Sequence, residues 1–205
     1  MDYNRTGGVN TTLMKNQMIQ IEWDKPFLIC ELPKEIKSEV NQWIRQAKKI
    51  KNHPLSALKA HQNFGYQSNK DIQNAYQCSL PINSIQNSFW LAYVLRVCAF
   101  HWGGHDRDYC LREWRGHYDG LDIWANFSYK GNGNPIHQHS GFISGVIYHK
   151  NNNHPTIFPD YNKEYCGKNG TMILFSSDTR HYVDPQPYKG ERTTIAFNIN
   201  RFPAS

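Results

Sequence analysis

Three histidines in the C-terminal half of the chain have the residue type and spacing of a metal site. One residue separates His137 from His139, and His181 follows the apolar run Thr171–Phe175. Side chains on a strand alternate between its two faces, so His137 and His139 should point to the same side of one strand. Neutral imidazole is a good ligand for divalent transition metals. The spacing therefore predicts a metal site in which His181 arrives from a second strand.

A cationic side chain follows the third histidine. Arg192 lies eleven residues after His181 and precedes the last alternating run, Thr193–Asn200. A guanidinium can hold a carboxylate through two parallel hydrogen bonds. We therefore expect Arg192 to bind an anionic ligand that also contacts the metal.

Composition sets limits on the class of protein. A chain of 205 residues is long enough for one domain with a substantial core, and its richness in Trp and Tyr favours a β-containing fold. The net charge of +6 is modest and spread along the chain, so it permits nucleic acid as a partner without supporting it. No apolar run approaches the ~20 residues that a membrane-spanning helix needs. We expect no signal peptide and an intracellular, cytoplasmic location.

The cysteines do not suggest a metal or disulfide framework. They are five in number, widely spaced, and without a CxxC pair: Cys30, Cys78, Cys98, Cys110 and Cys166. In a reducing compartment such residues are expected to be small buried apolar groups.

The elements that must position the histidines begin with helices. Residues 1–17 are expected to be a loose terminus, followed by short strands at Met18–Trp23 and Phe27–Cys30. A helix begins after Pro33, with its apolar residues recurring on one stripe: Ile36, Val40, Trp43, Ile44, Ala47 and Ile50. A possible short helix near Leu55–Ala60 and a second helix from about Ile82 to Phe100 precede the β region. These helices are expected to pack on one sheet.

The β region carries the histidines. Short strands separated by turn residues are expected at Leu121–Tyr129, Ile136–Ser140, Ser144–Tyr148, Thr156–Phe158, Thr171–Phe175, His181–Val183 and Thr193–Asn200. Together they predict a distorted double-stranded β-helix, or jelly roll. We expect a single domain over residues 1–205, with supporting strands and helices in 18–105 and the β-helix core in 109–203.

An ordered set of motifs resembles the iron(II)/2-oxoglutarate-dependent dioxygenases. The set runs Asn126-x-x-Tyr129-Lys-Gly, His137-Gln-His139, Ser144-Gly-Val-Ile-Tyr148, Ile157-Phe-Pro159, Phe175-x-x-x-x-x-His181 and Arg192-Thr-Thr-Ile-Ala-Phe-Asn198. It is most similar to small bacterial and phage members that are like prolyl hydroxylases. The resemblance covers roughly residues 121–200.

The chain departs from this family at one position. Most members have a carboxylate two residues after the first histidine, where this chain has His139. Asp160 and Asp178 are candidate replacements, although Asp160 follows a segment expected on a neighbouring strand. A second register takes His139 as the first ligand and Gly141 at the acid position, which resembles the halogenases.

The resemblance also implies how the co-substrate is bound. It predicts Fe(II), 2-oxoglutarate and O2, with Arg192 and Thr194 holding the distal carboxylate of 2-oxoglutarate. Asn126 and Tyr129 resemble further co-substrate contacts in related branches. Trp124, Phe142, Tyr148 and Phe175 are expected to pack the barrel. His101, His105 and His117 are expected to be surface or loop histidines, and His149 and His154, which flank a loop, are expected to be exposed.

The implied activity is hydroxylation of a substrate, with release of succinate and CO2. A prolyl or other peptidyl residue is the leading substrate, and nucleic acid or a small metabolite is the alternative. Two rival interpretations remain open. One is a three-histidine cupin-like metalloprotein that does not use 2-oxoglutarate. The other is a non-enzymatic jelly-roll binding or virion protein.

Overall fold

The computed structural model describes residues 26–51, 76–80, 90, 94, 121–139, 143–150 and 153–199. Its helix is α1 (Lys34–Lys51), and its strands are β1 (Phe27–Glu31), β2 (Tyr76–Ser79), β3 (Leu121–Ser128), β4 (Asn134–His137), β5 (Ile143–Lys150), β6 (Thr156–Phe158), β7 (Lys163–Tyr165), β8 (Thr171–Ser176), β9 (His181–Val183) and β10 (Arg192–Ile199). Several predictions lie outside the described residues: the loose terminus, the strand at 18–23, the short helix at 55–60, His101, His105, His117 and Phe142.

Two antiparallel sheets form the double-stranded β-helix. Six strands make the larger sheet, in the order β1-β8-β5-β10-β3-β2. Four shorter strands make the smaller sheet, in the order β4-β9-β6-β7. The jelly-roll prediction is therefore confirmed, and β10, the last strand of the described residues, lies between β5 and β3.

Helix α1 covers the outer face of the larger sheet. The amide N–H of Lys37 donates to the carbonyl of Pro33 at 2.9 Å, which closes the first turn, and Glu35 lies in that turn where an acidic group is favourable. The helix buries five residues of its predicted stripe: Ile36, Val40, Trp43, Ile44 and Ala47. Burying each large apolar side chain contributes roughly 1.5–3 kcal/mol. Trp90 and Val94, from the second predicted helix, are helical and join the same core.

Alternation along β10 separates this outer core from the inner cavity. Ile195, Phe197 and Ile199 belong to the core under α1. Arg192 and Thr194 line a cavity on the inner face. Side chains of an extended strand point alternately to its two faces, so β10 packs against α1 on one face and lines the cavity on the other.

Some local predictions differ from the structure. Strand β4 ends at His137, so His139 lies two residues beyond the strand rather than on it. Strands β2 and β7 were not predicted, because residues 51–80 and 163–165 are polar and lack alternation. Cys30 is buried as expected, but Cys166 is exposed. Among the described helices, none is long and apolar enough to cross a bilayer.

Candidate metal centre

The three predicted histidines converge. His137 on β4 and His181 on β9 are direct partners in the antiparallel ladder, and their ring centroids lie 4.3 Å apart. The ring of His139 lies 5.0 Å from that of His137 and 5.3 Å from that of His181. One potential ligand nitrogen from each ring lies within 4.8 Å of the others. Two nitrogens bound about 2.1 Å from one ion are at most about 4.2 Å apart, so metal binding requires only small ring rotations.

Carbonyl partners determine which nitrogen two of these rings present. Nδ1 of His137 lies 2.7 Å from the carbonyl oxygen of Pro135, and Nδ1 of His181 lies 2.9 Å from that of Thr179. A carbonyl can only accept, so each Nδ1 carries the proton and each Nε2 keeps its lone pair. Metal-binding histidines are oriented in this way by a hydrogen bond on the other ring nitrogen. The two rings are therefore prepared to bind through Nε2.

Burial keeps the three rings neutral at physiological pH. It lowers the pKa of His137 below its usual value. Burial, followed by the nearby His137, lowers the pKa of His139 to about 4 and that of His181 to about 3. Neutral imidazole is the form that binds metal, so no proton has to be displaced near pH 7.

The donor set suits a divalent transition ion. Imidazole binds iron, nickel, copper and zinc, and three imidazoles leave further coordination positions for other ligands. Among the residues described, no carboxylate joins this group. Asp160 accepts hydrogen bonds from Arg180, and Asp178 accepts one from Ser176. No carboxylate of the described residues is therefore placed to compensate the charge of a divalent ion here, which favours an anionic ligand that binds with the ion.

The position of His137 bears on the choice between the two registers. Its ring lies in the group with the other two histidines, which favours His137 as the first ligand. Gly141, the acid position in the halogenase-like register, lies outside the described residues.

A cavity adjoins the histidines on the inner face of the larger sheet. Its lining includes all three histidines together with Asn126, Arg192 and Thr194. Arg192 is 5% exposed, and its guanidinium carbon lies 5.8 Å from the centre of the Tyr148 ring. Burial lowers the pKa of Arg192, yet a guanidinium remains charged in proteins. One guanidinium nitrogen, Nη2, is buried without a hydrogen-bond partner among the described residues, so this end of the cavity suits an anionic ligand.

Asn126 and Tyr129 have different environments. Asn126 pairs with Thr194 across β3 and β10, and its buried Oδ1 has no hydrogen-bond partner among the described residues. Tyr129 does not line the cavity. It packs against the core beneath α1, and its hydroxyl donates to Glu191 at 2.9 Å. Burial, then this hydrogen bond, raises the pKa of Tyr129 to about 12. Tyr129 therefore lies apart from Asn126, Arg192 and Thr194, the other residues expected to contact the co-substrate.

Two other histidines are less exposed than expected. His154 is only 5% exposed, and its Nε2 lies 2.6 Å from the carbonyl oxygen of Asp184. His149 is half-buried near the end of β5. The prediction that His154 is exposed is wrong, because a contact between distant loops covers it.

Sequence reasoning missed several residues that line the cavity, among them Trp124, Asn134 and Thr156. Trp124 was expected only to pack the barrel, but it lines the cavity with its ring centre 6.0 Å from that of His139. Asn134 lines the cavity beside Nε2 of His137, at 3.5 Å, and Thr156 lines it from β6. Neither residue belongs to a motif, so only the turn residues around Asn134 offered any signal. Tyr148 and Phe175 are fully buried, as expected of packing residues.

Known structures share this fold at low sequence identity. A Pseudomonas putida prolyl-4-hydroxylase is 12% identical, with a TM-score of 0.54 over 87% of this chain and 94% of that chain. A 2OG-Fe(II) oxygenase family oxidoreductase from Burkholderia pseudomallei is 13% identical, with a TM-score of 0.51 over 88% and 87% of the two chains. A viral collagen prolyl hydroxylase from Paramecium Bursaria Chlorella virus-1 is 13% identical, with a TM-score of 0.50 over 87% and 91%.

Comparisons of sequence alone find no relative of this chain, although the comparison of structures does. No protein-family model matches the chain, and no curated protein matches it. The chain therefore shares with these oxygenases a fold that covers most of its length, as the motif resemblance implied.

Proposed function

We propose that this chain is an Fe(II)- and 2-oxoglutarate-dependent oxygenase. The observation that carries the proposal is one inner cavity that joins three neutral histidines to a buried guanidinium. The histidines suit a metal, and the guanidinium suits the distal carboxylate of an acid that also chelates that metal. A cavity that binds apolar or neutral molecules would not need the buried charge of Arg192.

The residues have distinct tasks in this proposal. His137, His139 and His181 would hold Fe(II), the first and third through Nε2. Bound there, the ion and 2-oxoglutarate supply the chemistry of hydroxylation by O2, with succinate and CO2 released. Arg192 holds the distal carboxylate through charged hydrogen bonds, and Thr194, two residues along the same strand face, donates one hydroxyl.

The surroundings of Arg192 exclude water from this end of the cavity. Tyr148 is fully buried, and its hydroxyl lies 2.7 Å from Oγ1 of Thr156, which links the two sheets there. An electrostatic interaction is stronger in such a water-poor site than in bulk solvent. Arg192 is therefore placed to discriminate strongly between a dicarboxylate and a ligand with one anionic group.

We propose a prolyl or other peptidyl residue as the substrate. The proposal is supported by the shared fold with a prolyl-4-hydroxylase and a collagen prolyl hydroxylase, and by the Ile157-Phe-Pro159 segment. A small metabolite is the alternative partner. The dispersed positive charge gives nucleic acid no specific support.

The test is turnover of 2-oxoglutarate. Protein reconstituted anaerobically with Fe(II) is mixed with O2 and 2-oxoglutarate, with and without proline-containing peptides, and succinate is measured. We expect basal succinate production that a substrate peptide stimulates and that His181→Ala eliminates. Failure to bind or consume 2-oxoglutarate, with Fe(II) bound, would overturn the proposal.

A second function is favoured by one observation. His139 supplies a neutral ligand where most of the resembled family has a carboxylate, and a three-histidine centre can serve O2 chemistry without 2-oxoglutarate. That cupin-like function predicts metal binding with no effect of Arg192 on the affinity for 2-oxoglutarate. Calorimetric titration of 2-oxoglutarate into metal-loaded parent protein and Arg192→Met separates the two.

A further inference from the structure

One turn contacts two of the three histidines. Residues 177–180 connect β8 to β9, and the carbonyl oxygen of Ser177 accepts a hydrogen bond from the backbone N–H of His139 at 2.8 Å. Two residues later, the carbonyl oxygen of Thr179 accepts from Nδ1 of His181 at 2.9 Å. The turn therefore orients the His181 ring and holds the backbone of His139.

His139 depends on this contact more than the other histidines do. It lies beyond the end of β4, whereas His137 and His181 are held by direct pairing between β4 and β9. The hydrogen bond to Ser177 thus replaces the strand pairing that His139 lacks. Any movement of Ser177 is expected to move His139 relative to the other two rings.

A buried polar network anchors Ser177 to the larger sheet. Oγ of Ser144 on β5 lies 2.9 Å from Oγ of Ser177 and 2.8 Å from Oδ1 of Asn198 on β10. An amide oxygen only accepts, so the Ser144 hydroxyl donates to Asn198, and the same hydroxyl oxygen is within hydrogen-bond distance of that of Ser177. The exposed fractions of Ser144, Ser177 and Asn198 are 2%, 0% and 8%. Burial makes each of these bonds costly to lose.

Local contacts make the turn a stiff connector. The N–H of Thr179 donates to the carbonyl of Ser176 at 3.0 Å, which closes the turn between the two histidine contacts. On its outer side, Arg180 is paired with Asp160 beside β6. The buried network is therefore connected to both histidines by only a few bonds of a closed turn.

We propose that Ser144, Ser177 and Asn198 are positioning residues for the metal centre. They hold the β8–β9 turn so that the rings of His139 and His181 approach one ion together with His137. The inference rests on the proposed function, because it requires that the three histidines bind metal. Groups that orient metal ligands typically change metal affinity by 10–100-fold when removed.

The test measures Co(II) binding, independently of turnover. Co(II) absorption reports both affinity and ligand geometry. We expect Ser177→Ala and Ser144→Ala each to weaken Co(II) binding by about 10-fold and to shift the visible spectrum. The double variant should bind no more weakly than Ser144→Ala alone, since the same chain of bonds is broken in both.

Thr193→Val is the matched control. Thr193 is also a fully buried hydroxyl, on the same strand as Asn198, but its Oγ1 donates to Glu191 on the side of the sheet that faces α1. We expect it to lower thermal stability while the Co(II) affinity and spectrum stay as in the parent. That contrast separates positioning of the metal ligands from a general loss of stability.

The outcomes distinguish two failures. If the parent binds Co(II) and both serine variants bind it equally with an unchanged spectrum, the positioning role is wrong while the proposed function stands. If the parent binds no Co(II), the result contradicts both the metal centre and the proposed function. Ser144→Ala breaks two hydrogen bonds, so if it does not fold, the milder Ser177→Ala decides the question alone.

Discussion

His137 and His181 face each other as direct partners across β4 and β9, with ring centroids 4.3 Å apart. Each ring uses Nδ1 for a backbone carbonyl, so the two Nε2 lone pairs are the ones available to a common ion. Direct cross-strand pairs have closely spaced Cβ atoms, which makes this placement a property of the ladder rather than of flexible side chains. The geometry of the candidate metal site accordingly depends on the register of these two strands.

Removal of either paired histidine should destroy the metal site. We expect the parent to bind one Fe(II), Mn(II), Co(II) or Ni(II) per chain, and His137→Ala and His181→Ala each to weaken that binding by at least about 100-fold, because one of few protein ligands is lost. Calorimetry under anaerobic conditions measures the effect. His149→Ala, a half-buried histidine outside the group, is the control and should bind as the parent does. Full affinity in His137→Ala with loss in His139→Ala would instead support the halogenase-like register.

Substitution of His139 tests whether this residue binds the metal or only lies beside the metal ligands. If His139 is the third ligand, His139→Asp should still bind metal, since it supplies an anionic oxygen, and should retain measurable succinate production. His139→Ala should lose tight binding or recover it only with an added small anion. Iron affinity and succinate are measured for both variants side by side. Unchanged metal affinity in His139→Ala would eliminate the three-histidine site.

Arg192 should control the affinity for 2-oxoglutarate but not for metal. Hydrogen bonds to charged groups contribute ~1.5–3 kcal/mol, so Arg192→Met should weaken 2-oxoglutarate binding by at least about 10-fold. The affinity of the Arg192→Met variant for Fe(II), measured without 2-oxoglutarate, should change little. Lys150→Met removes the same charge from an exposed position on β5 and serves as the control. Equal binding of 2-oxoglutarate by parent and Arg192→Met would contradict the proposed role.

Glu191 should make stability depend on pH. Burial opposes ionisation of this carboxyl, but hydrogen bonds from Lys48, Tyr129 and Thr193 outweigh it and lower its pKa from 4.5 to about 2. A lowered pKa in the folded state gives stability that is present above about pH 4.5 and is lost as the pH falls towards 2. Because the carboxylate is in part solvent-exposed, we expect a contribution of only about 1 kcal/mol.

Urea unfolding of parent and Glu191→Gln measures this contribution. The difference between their free energies of unfolding should be largest near pH 6 and should shrink between pH 4.5 and 2. Glu164→Gln, on the exposed part of β7, removes one negative charge without disturbing the contact with α1. A difference between parent and Glu191→Gln that does not vary with pH would show that the carboxylate charge is not what stabilises this contact.

The sequence by itself determined the jelly roll, the helix after Pro33 with its buried stripe, and the convergence of His137, His139 and His181. Periodicity and residue type carry these features, because an alternating strand or an amphipathic helix must bury its apolar face wherever it packs. The short ladder of β2 could not be predicted, since the polar segment that contains it becomes a strand only through pairing with β3.

Only the tertiary structure decided whether a polar side chain of the larger sheet faces the cavity or faces helix α1. Arg192 and Thr194 enter the cavity, while Tyr129 turns to Glu191 and the core beneath α1. The tertiary structure also decided that His139 lies beyond the end of β4. Hydrogen bonds connect this histidine through Ser177 to Ser144 and Asn198. These contacts join residues tens of positions apart. The spacing of serine and asparagine residues along the sequence does not indicate which residues will be their hydrogen-bond partners. Short-range pattern therefore determines the elements, while long-range packing determines the hydrogen bonds that orient the site.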